Sequence, residues 1–331
     1  MVLKVFVIGS NSFSGSNAVK KFISEGFEVF GVSRSNEPSE IFLPYKWDNN
    51  HISHFKFSKI DLNTNIEKLK SLLDDFKPNI IVNFAAQGMV AESWLNPLDW
   101  FQTNVMAQIA LVEFLRTRDY LERFIQFTTP EVYGSTSGWI SENASFSPST
   151  PYATSRATFD FHLKNLHDTF GFPVIFTRAA NVYGAGQQIY RIIPRAMLSC
   201  ILNERFPLQG RGTSERAFIH INDVSDAICK IISNGISGET YHISTDETLT
   251  IMQLVEVIGQ YYGKEVQEFA DIVDDRLGKD HQYKLSAKKL NEQLNWSAHI
   301  GLSNGLKDVD NWLQKNINTI KGVERVYRHK K

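Results

Sequence analysis

Residues near the start of the chain have the types and spacing that phosphate chemistry needs. Gly9-Ser10-Asn11-Ser12-Phe13-Ser14-Gly15 spaces its small residues as G-x-x-S-x-x-G. Glycine in such a loop permits a tight turn and a close approach of backbone N–H groups to a pyrophosphate, which then sits on the N-terminus of the next helix. Ser12 holds the middle position and is small enough to serve there. A ligand-free Gly/Ser-rich turn is the alternative, and the surrounding frame has to separate the two. Farther along, Gly31-Val32-Ser33-Arg34-Ser35 closes an apolar run. NAD enzymes usually place a carboxylate at this point for the ribose 2′-hydroxyl. Here Ser33 stands in that place and Arg34 follows. A guanidinium can pair with a 2′-phosphate and stack on adenine, so of NAD and NADP the pattern leans slightly to NADP. A solvated surface Arg is the other reading. Asp61 and Leu62 stand where an adenine edge is met, or Asp61 is a plain strand-end acid. His51 and His54 form an H-x-x-H pair with no acidic ligands around it, so a surface loop is expected and no metal.

The loop needs a frame. Residues 2–8 are apolar and β-branched apart from one Lys, which suits a buried strand ended by Gly9. The spacing predicts a helix over 17–25, closed by Gly26, and a second strand over 27–32. Strands over 55–60, 80–85, 123–128 and 174–178 alternate with helices over 66–76, 104–116 and 154–169. That alternation predicts an α/β fold, a Rossmann-type doubly wound parallel sheet covered on both faces. After residue 181 the pattern loosens, with a helix over 222–233, a short strand over 241–244 and a helix over 251–261. The expected division is a dinucleotide-binding domain over 1–180, with segments near 217–245 returning to it. A smaller C-terminal α/β substrate domain then occupies most of 181–331. The basic, polar stretch 321–331 reads as a frayed surface tail.

Composition narrows the function classes. The 331 residues carry 35 Lys and Arg against 36 Asp and Glu, a net charge of −1, which argues against a nucleic-acid partner. Two cysteines exclude a disulfide scaffold and a cysteine-based metal cluster. No apolar run approaches the roughly 18 residues of a membrane span, and the short run before Gly9 does not read as a signal peptide. A cytoplasmic protein with no membrane partner is expected.

Two further segments are more specific than the glycine loop. Thr128-Thr129-Pro130-Glu131-Val132-Tyr133-Gly134 ends the fifth strand, and Pro151-Tyr152-Ala153-Thr154-Ser155-Arg156 opens the next helix. With Asn83-Phe84-Ala85-Ala86, Asn104, Arg178-Ala179-Ala180-Asn181-Val182-Tyr183-Gly184 and the stretch from Asp275 to Tyr283, these resemble the extended short-chain dehydrogenase/reductase, or NAD-dependent epimerase/dehydratase, family. The nearest subgroup is the dTDP-glucose 4,6-dehydratase type, and the likeness runs over nearly the whole chain.

The resemblance implies a lyase that keeps a nicotinamide cofactor and acts on a nucleotide-diphosphate sugar. Tyr152 would take the proton of the sugar 4-hydroxyl, and Thr129 would hydrogen-bond the 4-oxygen. The family's Tyr-x-x-x-Lys is Tyr152 and Arg156 here, at i and i+4 on one helix face. Arg supplies permanent charge to help ionise a phenol whose free pKa is about 10, yet it cannot relay a proton. Glu131 would remove the carbon-5 proton, which a 4-keto group acidifies, and would touch substrate. The subgroup's proton-donating Asp is Pro130 in this chain, so Glu131 would return its own proton to the leaving 6-hydroxyl. Cofactor contacts implied are Gly9, Ser12, Phe13, Gly15, Ser33, Arg34, Asp61, Leu62, Ala85, Ala86, Asn104, Tyr152 and Arg156. Asn181, Arg216 and Arg276 would hold the diphosphate and nucleotide. Where the subgroup has histidines, this chain has Gln87-Gly88-Met89 and Lys279. An epimerase or carbon-4 oxidoreductase of the same family, or a sugar-nucleotide binding protein with impaired turnover, remains an alternative. The family pairs the helices over 104–116 and 154–169 across a two-fold axis. Phe159, Phe161 and Leu166 exceed what one face needs, so a homodimer is expected.

Overall fold

The computed structural model describes residues 2–48, 52–275, 278 and 280–330. His51, Arg276 and Lys279 lie outside the described residues. The strands are β1 Lys4–Ile8, β2 Glu28–Ser33, β3 Phe55–Lys59, β4 Ile80–Asn83, β5 Arg123–Phe127, β6 Trp139–Ile140, β7 Val174–Ala179, β8 Asn181–Tyr183, β9 Phe206–Gln209, β10 Glu215–His220, β11 Thr240–Ile243, β12 Thr248–Thr250, β13 Ala270–Val273 and β14 Lys284–Leu285. Seven of them form one parallel sheet in the order β11-β7-β5-β4-β1-β2-β3. The order reverses between β1 and β4, which opens a crevice at their carboxyl ends.

The central strands are mostly apolar because both faces are covered, as β1 and β4 show, whereas the edge strand β3 is mixed. Along β1, Val5 and Val7 face one layer, packed with Val19 and Phe22 of the helix α1 Phe13–Ser24 and with Ile228 and Ile231. Phe6 and Ile8 face the other layer, with Leu69 and Leu73 of α2 Ile66–Phe76. Burying each such side chain contributes about 1.5–3 kcal/mol. The expected run over 104–116 starts differently. A short helix α3 Pro97–Phe101 leads into a π-helical turn, Gln102–Met106, and then α4 Ala107–Leu115. Pro97 sits where a first-turn proline costs no hydrogen bond. The long helix α5 Pro151–Phe170 is capped by Thr150, whose side chain accepts from the Ala153 N–H at 3.1 Å.

The chain then leaves the sheet and returns to it. A second cluster gathers around α6 Ile192–Leu202, α8 Ile251–Tyr261 and the helix Leu302–Lys315, with β8-β10-β12 as a small mixed sheet. Between them α7 Ile221–Asn234 packs on α1, and β11 pairs with β7. Phe159 and Leu166 are buried inside the subunit, so of the apolar surplus expected on α5 only Phe161 faces outward. Among the described residues no helix is long and apolar enough to cross a membrane.

Candidate active site

The glycine loop lies at the crevice. Gly9 has φ +86°, and a Cβ there would stand 2.9 Å from the Ala85 backbone nitrogen. No other residue type fits so close to the end of β4. α1 begins at Phe13, four residues earlier than its apolar spacing suggests, because Ser12 caps it and accepts from the Gly15 N–H at 3.0 Å. Ser33 serves the loop from below: its Oγ accepts from the Asn11 N–H at 2.9 Å. The buried Ser10 Oγ and Asn11 Oδ1 are left without partners. A cradle that admits only glycine, a helix N-terminus and orphaned polar atoms fit a bound dinucleotide diphosphate.

A cleft of about 760 Å³ runs from this loop to the second lobe. β5 delivers Thr129 and Glu131 to its wall. Thr129 caps a 3₁₀ turn, Pro130–Tyr133, with its Oγ1 accepting from the Glu131 N–H at 3.3 Å. Tyr152 enters from the first turn of α5 and hydrogen-bonds Thr129. Burial raises the Tyr152 phenol, and the Glu131 charge raises it further, while Arg156 and Thr129 pull it down. Arg156 thus pulls the phenol down, but burial and the Glu131 charge outweigh it. Arg156 is buried and turns one guanidinium N–H to the Phe127 carbonyl, so part of its charge is spent on the end of β5. Burial also raises the Glu131 carboxyl, and Arg216 and Arg191 oppose that rise.

The floor under Thr128 and Thr129 is a buried polar chain. Asp160 Oδ2 accepts from Thr128 Oγ1 and from Arg178 Nη2, both at 2.9 Å. Arg178 Nη1 donates to the Tyr133 hydroxyl at 3.0 Å, which leaves that hydroxyl's own hydrogen for His242 Nε2 at 2.8 Å. On the Glu131 side of the cleft, Arg216 donates to the backbone carbonyls of Glu215, Asp280 and His281. Asn181 Oδ1 accepts from the Tyr283 hydroxyl at 2.9 Å.

This constellation on this fold has relatives. A family model described as GDP-mannose 4,6 dehydratase matches residues 6–309. The chain belongs to that family. It is 28% identical to a dTDP-glucose 4,6-dehydratase of Xanthomonas campestris pv. campestris, over 96% of this chain and 95% of the relative. It is 29% identical to the human dTDP-D-glucose 4,6-dehydratase, over 78% of this chain and 75% of the relative. The structure of DesIV, a dTDP-glucose 4,6-dehydratase from Streptomyces venezuelae with NAD and TYD bound, superposes with a TM-score of 0.87 at 26% identity, covering 96% and 98% of the two chains. UDP-glucuronic acid 4-epimerase from Bacillus cereus shares the fold, with a TM-score of 0.83 at 23% identity over 95% and 99%.

Set beside the family pattern, Ser12, Phe13, Arg34, Ala86, Thr129, Glu131, Tyr152, Arg156, Asn181 and Arg216 all line the cleft. Others act one step back. Asn104 is buried and knits the loop to α5, accepting from the Gln87 N–H at 2.7 Å and donating to the Gln87 carbonyl and Ser155 Oγ, each at 3.0 Å. Ala85 leads into that loop and accepts from Gln108 at 3.1 Å. Asp61 Oδ1 accepts from the Asn63 N–H at 2.9 Å, an Asx turn, and Leu62 is buried in the core. The expected contact Arg276 is among the residues not described.

The tail is a correction. Residues 325–327 line the cleft and are not frayed. His329 stacks on the buried Trp100 with ring centroids 4.9 Å apart, and its Nε2 lies 2.7 Å from Asp99 Oδ2. Gln87 Nε2 meets His329 Nδ1 at 2.8 Å, and Arg34 donates to the Lys330 carbonyl at 2.9 Å. Aromatic and hydrogen-bonding residues spaced among the charges pin the segment. A count of charge does not reveal them, and Tyr327 and His329 were the legible signal.

Proposed function

We propose that this chain is a sugar-nucleotide 4,6-dehydratase and that Tyr152, Thr129, Glu131 and Arg156 carry its chemistry. The observation that bears most weight is the meeting of Tyr152, Thr129 and Glu131 on one cleft wall, at the carboxyl end of the sheet. A nicotinamide dinucleotide held in the crevice would supply hydride acceptance from carbon 4 and hydride return to carbon 6. Gly9, Ser12, Phe13 and Gly15 would hold its diphosphate, with Ala85, Ala86 and Asn104 shaping the next loop. Tyr152 accepts the 4-hydroxyl proton while Thr129 fixes its oxygen. Arg156 holds Tyr152 and the end of β5 in register. Glu131 then removes the carbon-5 proton, work that a simple 4-epimerase has no need for. Asn181, Arg216 and Arg276 hold the diphosphate and nucleotide of the substrate.

For the dinucleotide we favour NAD. Arg34, which underlay the lean to NADP, already donates to Gln87 Oε1 at 3.2 Å and to the Lys330 carbonyl at 2.9 Å. The DesIV structure holds NAD. Residues 1–180 with 217–245 serve the dinucleotide, and most of 181–331 serves the sugar nucleotide. Met106 and Phe161, each more than half exposed on the π-helical turn before α4 and on α5, support an isologous homodimer, which light scattering checks. The setting is cytoplasmic. The deciding experiment incubates the protein with dTDP-, UDP-, GDP- and CDP-hexoses and follows the loss of one water by mass spectrometry. Loss of water from none of them sinks the reading.

A further inference from the structure

Elimination of the 6-hydroxyl needs a proton on the departing oxygen, and the residue before Glu131 cannot give one because Pro130 has no donor. The described carboxyl side chains lining the cleft are those of Glu92, Glu131 and Asp280. Glu92 stands at the tail end, where its charge is felt by Tyr327. Asp280 stands at the end where the chemistry is. Its charge is felt by Glu131, and the Tyr283 phenol feels Glu131, Asp280 and Tyr152 together.

Asp280 is also held in place. It is 7% exposed, and its Oδ1 accepts from Ser149 Oγ at 2.8 Å. Ser149 belongs to the segment that enters α5 just before Tyr152, so the carboxyl is tied to the chain that carries the base. Arg216 Nη2 donates to the Asp280 backbone carbonyl at 2.6 Å, which fixes the residue from the other side. Burial raises the carboxyl above the usual range, and Arg216 and Ser149 only partly oppose this. A buried, hydrogen-bonded carboxyl lining the cleft, its affinity for a proton raised, is suited to donate one.

We propose that Asp280 is the general acid that protonates the leaving 6-hydroxyl, a role that rests on the dehydratase reading above. Glu131 takes the carbon-5 proton, and the released electron pair forms the carbon 5–carbon 6 double bond. The carbon 6–oxygen bond breaks as the oxygen takes the Asp280 proton, and water leaves. Glu131, its proton exchanged with solvent, protonates carbon 5 when carbon 6 is reduced. The proton that Tyr152 removed passes to solvent, from which Asp280 is recharged. Glu131 is thus left as base alone, with no need to supply both protons.

The test uses the holoprotein in heavy water with whichever hexose of the panel loses water in wild type. Asp280→Asn is expected to form the 4-keto sugar and to exchange deuterium into carbon 5, while water loss slows about 100-fold. A 6-deoxy-6-fluoro analogue, whose leaving fluoride needs no proton, is expected to eliminate at a rate within about threefold of wild type. Parallel loss of exchange and elimination, with no rescue by fluorine, marks a structural role and overturns the proposal. So does water loss within about threefold of wild type. Should the variant not fold, wild type alone decides. Its rate on the hydroxyl substrate falls as rising pH ionises Asp280, which faces Glu131 and Arg216, and its rate on the fluoro analogue does not fall with it. Identical pH–rate profiles for the two substrates overturn the proposal. A wild type that releases no water from any hexose refutes the dehydratase reading itself, and the acid with it.

Discussion

His242 gives the fold a defined acid weakness. It lies fully buried on β11, with its Nε2 on the Tyr133 hydroxyl and no partner for Nδ1. Burial, with the positive charges of Arg178 and Lys289, pushes its imidazole down to about 3. The unfolded chain binds a proton there near pH 6.5, and the native chain does not until about pH 3, so stability is lost as pH falls through that window. At pH 5 the unfolded imidazole is almost wholly protonated, and the cost relative to pH 7.5 is about 2 kcal/mol. The perturbation is His242→Gln, whose amide oxygen can still accept from Tyr133 and does not titrate. Urea unfolding of both proteins at pH 7.5 and pH 5 gives the comparison. The stability of wild type minus that of the variant should fall by about 2 kcal/mol between the two pH values. A difference that stays flat within about 0.5 kcal/mol refutes the placement of a neutral buried imidazole in this network.

Three other outcomes are expected. Asp160→Asn strands the Arg178 guanidinium, the two side chains being 2% and 3% exposed, and should cost about 3–5 kcal/mol in urea unfolding; a loss under about 1 kcal/mol contradicts it. Gly9→Val forces a side chain against the Ala85 backbone, so protein purified and denatured for mass spectrometry should release far less dinucleotide than wild type, and equal release contradicts the cradle. Ending the chain after Gly322 removes the contacts of Tyr327, His329 and Lys330 to Gln87 and Arg34 and should speed dinucleotide loss on dialysis; unchanged retention contradicts a closing role for the tail.

Much of the sheet was legible because strands such as β1 and β4 are buried on both faces and read as apolar runs. Helices with one apolar face, such as α2 and α8, were legible to the residue. The start of α1 was not, because Phe13-Ser14-Gly15-Ser16 is as small and polar as a loop. Only the Ser12 cap turns it into a first turn. Tyr152, Thr129 and Glu131 were legible because the segments over 128–134 and 151–156 resemble the family's pattern. Where Arg156 points could not be found, because a guanidinium reaches a ribose or the Phe127 carbonyl equally well from the same Cα. Asp280 lay inside a motif already noted, but its burial depends on Ser149 and Arg216, far from it in sequence.

The central claim is that Glu131 removes a carbon-5 proton from a 4-keto sugar nucleotide. The most direct measurement compares wild type with Glu131→Gln on the same nucleotide sugar in heavy water. Wild type should release water and carry deuterium at carbon 5 of the product. Glu131→Gln should still oxidise carbon 4, hold the 4-keto sugar on the enzyme, and show neither exchange nor water loss. A variant that dehydrates and exchanges at the wild-type rate would contradict the account.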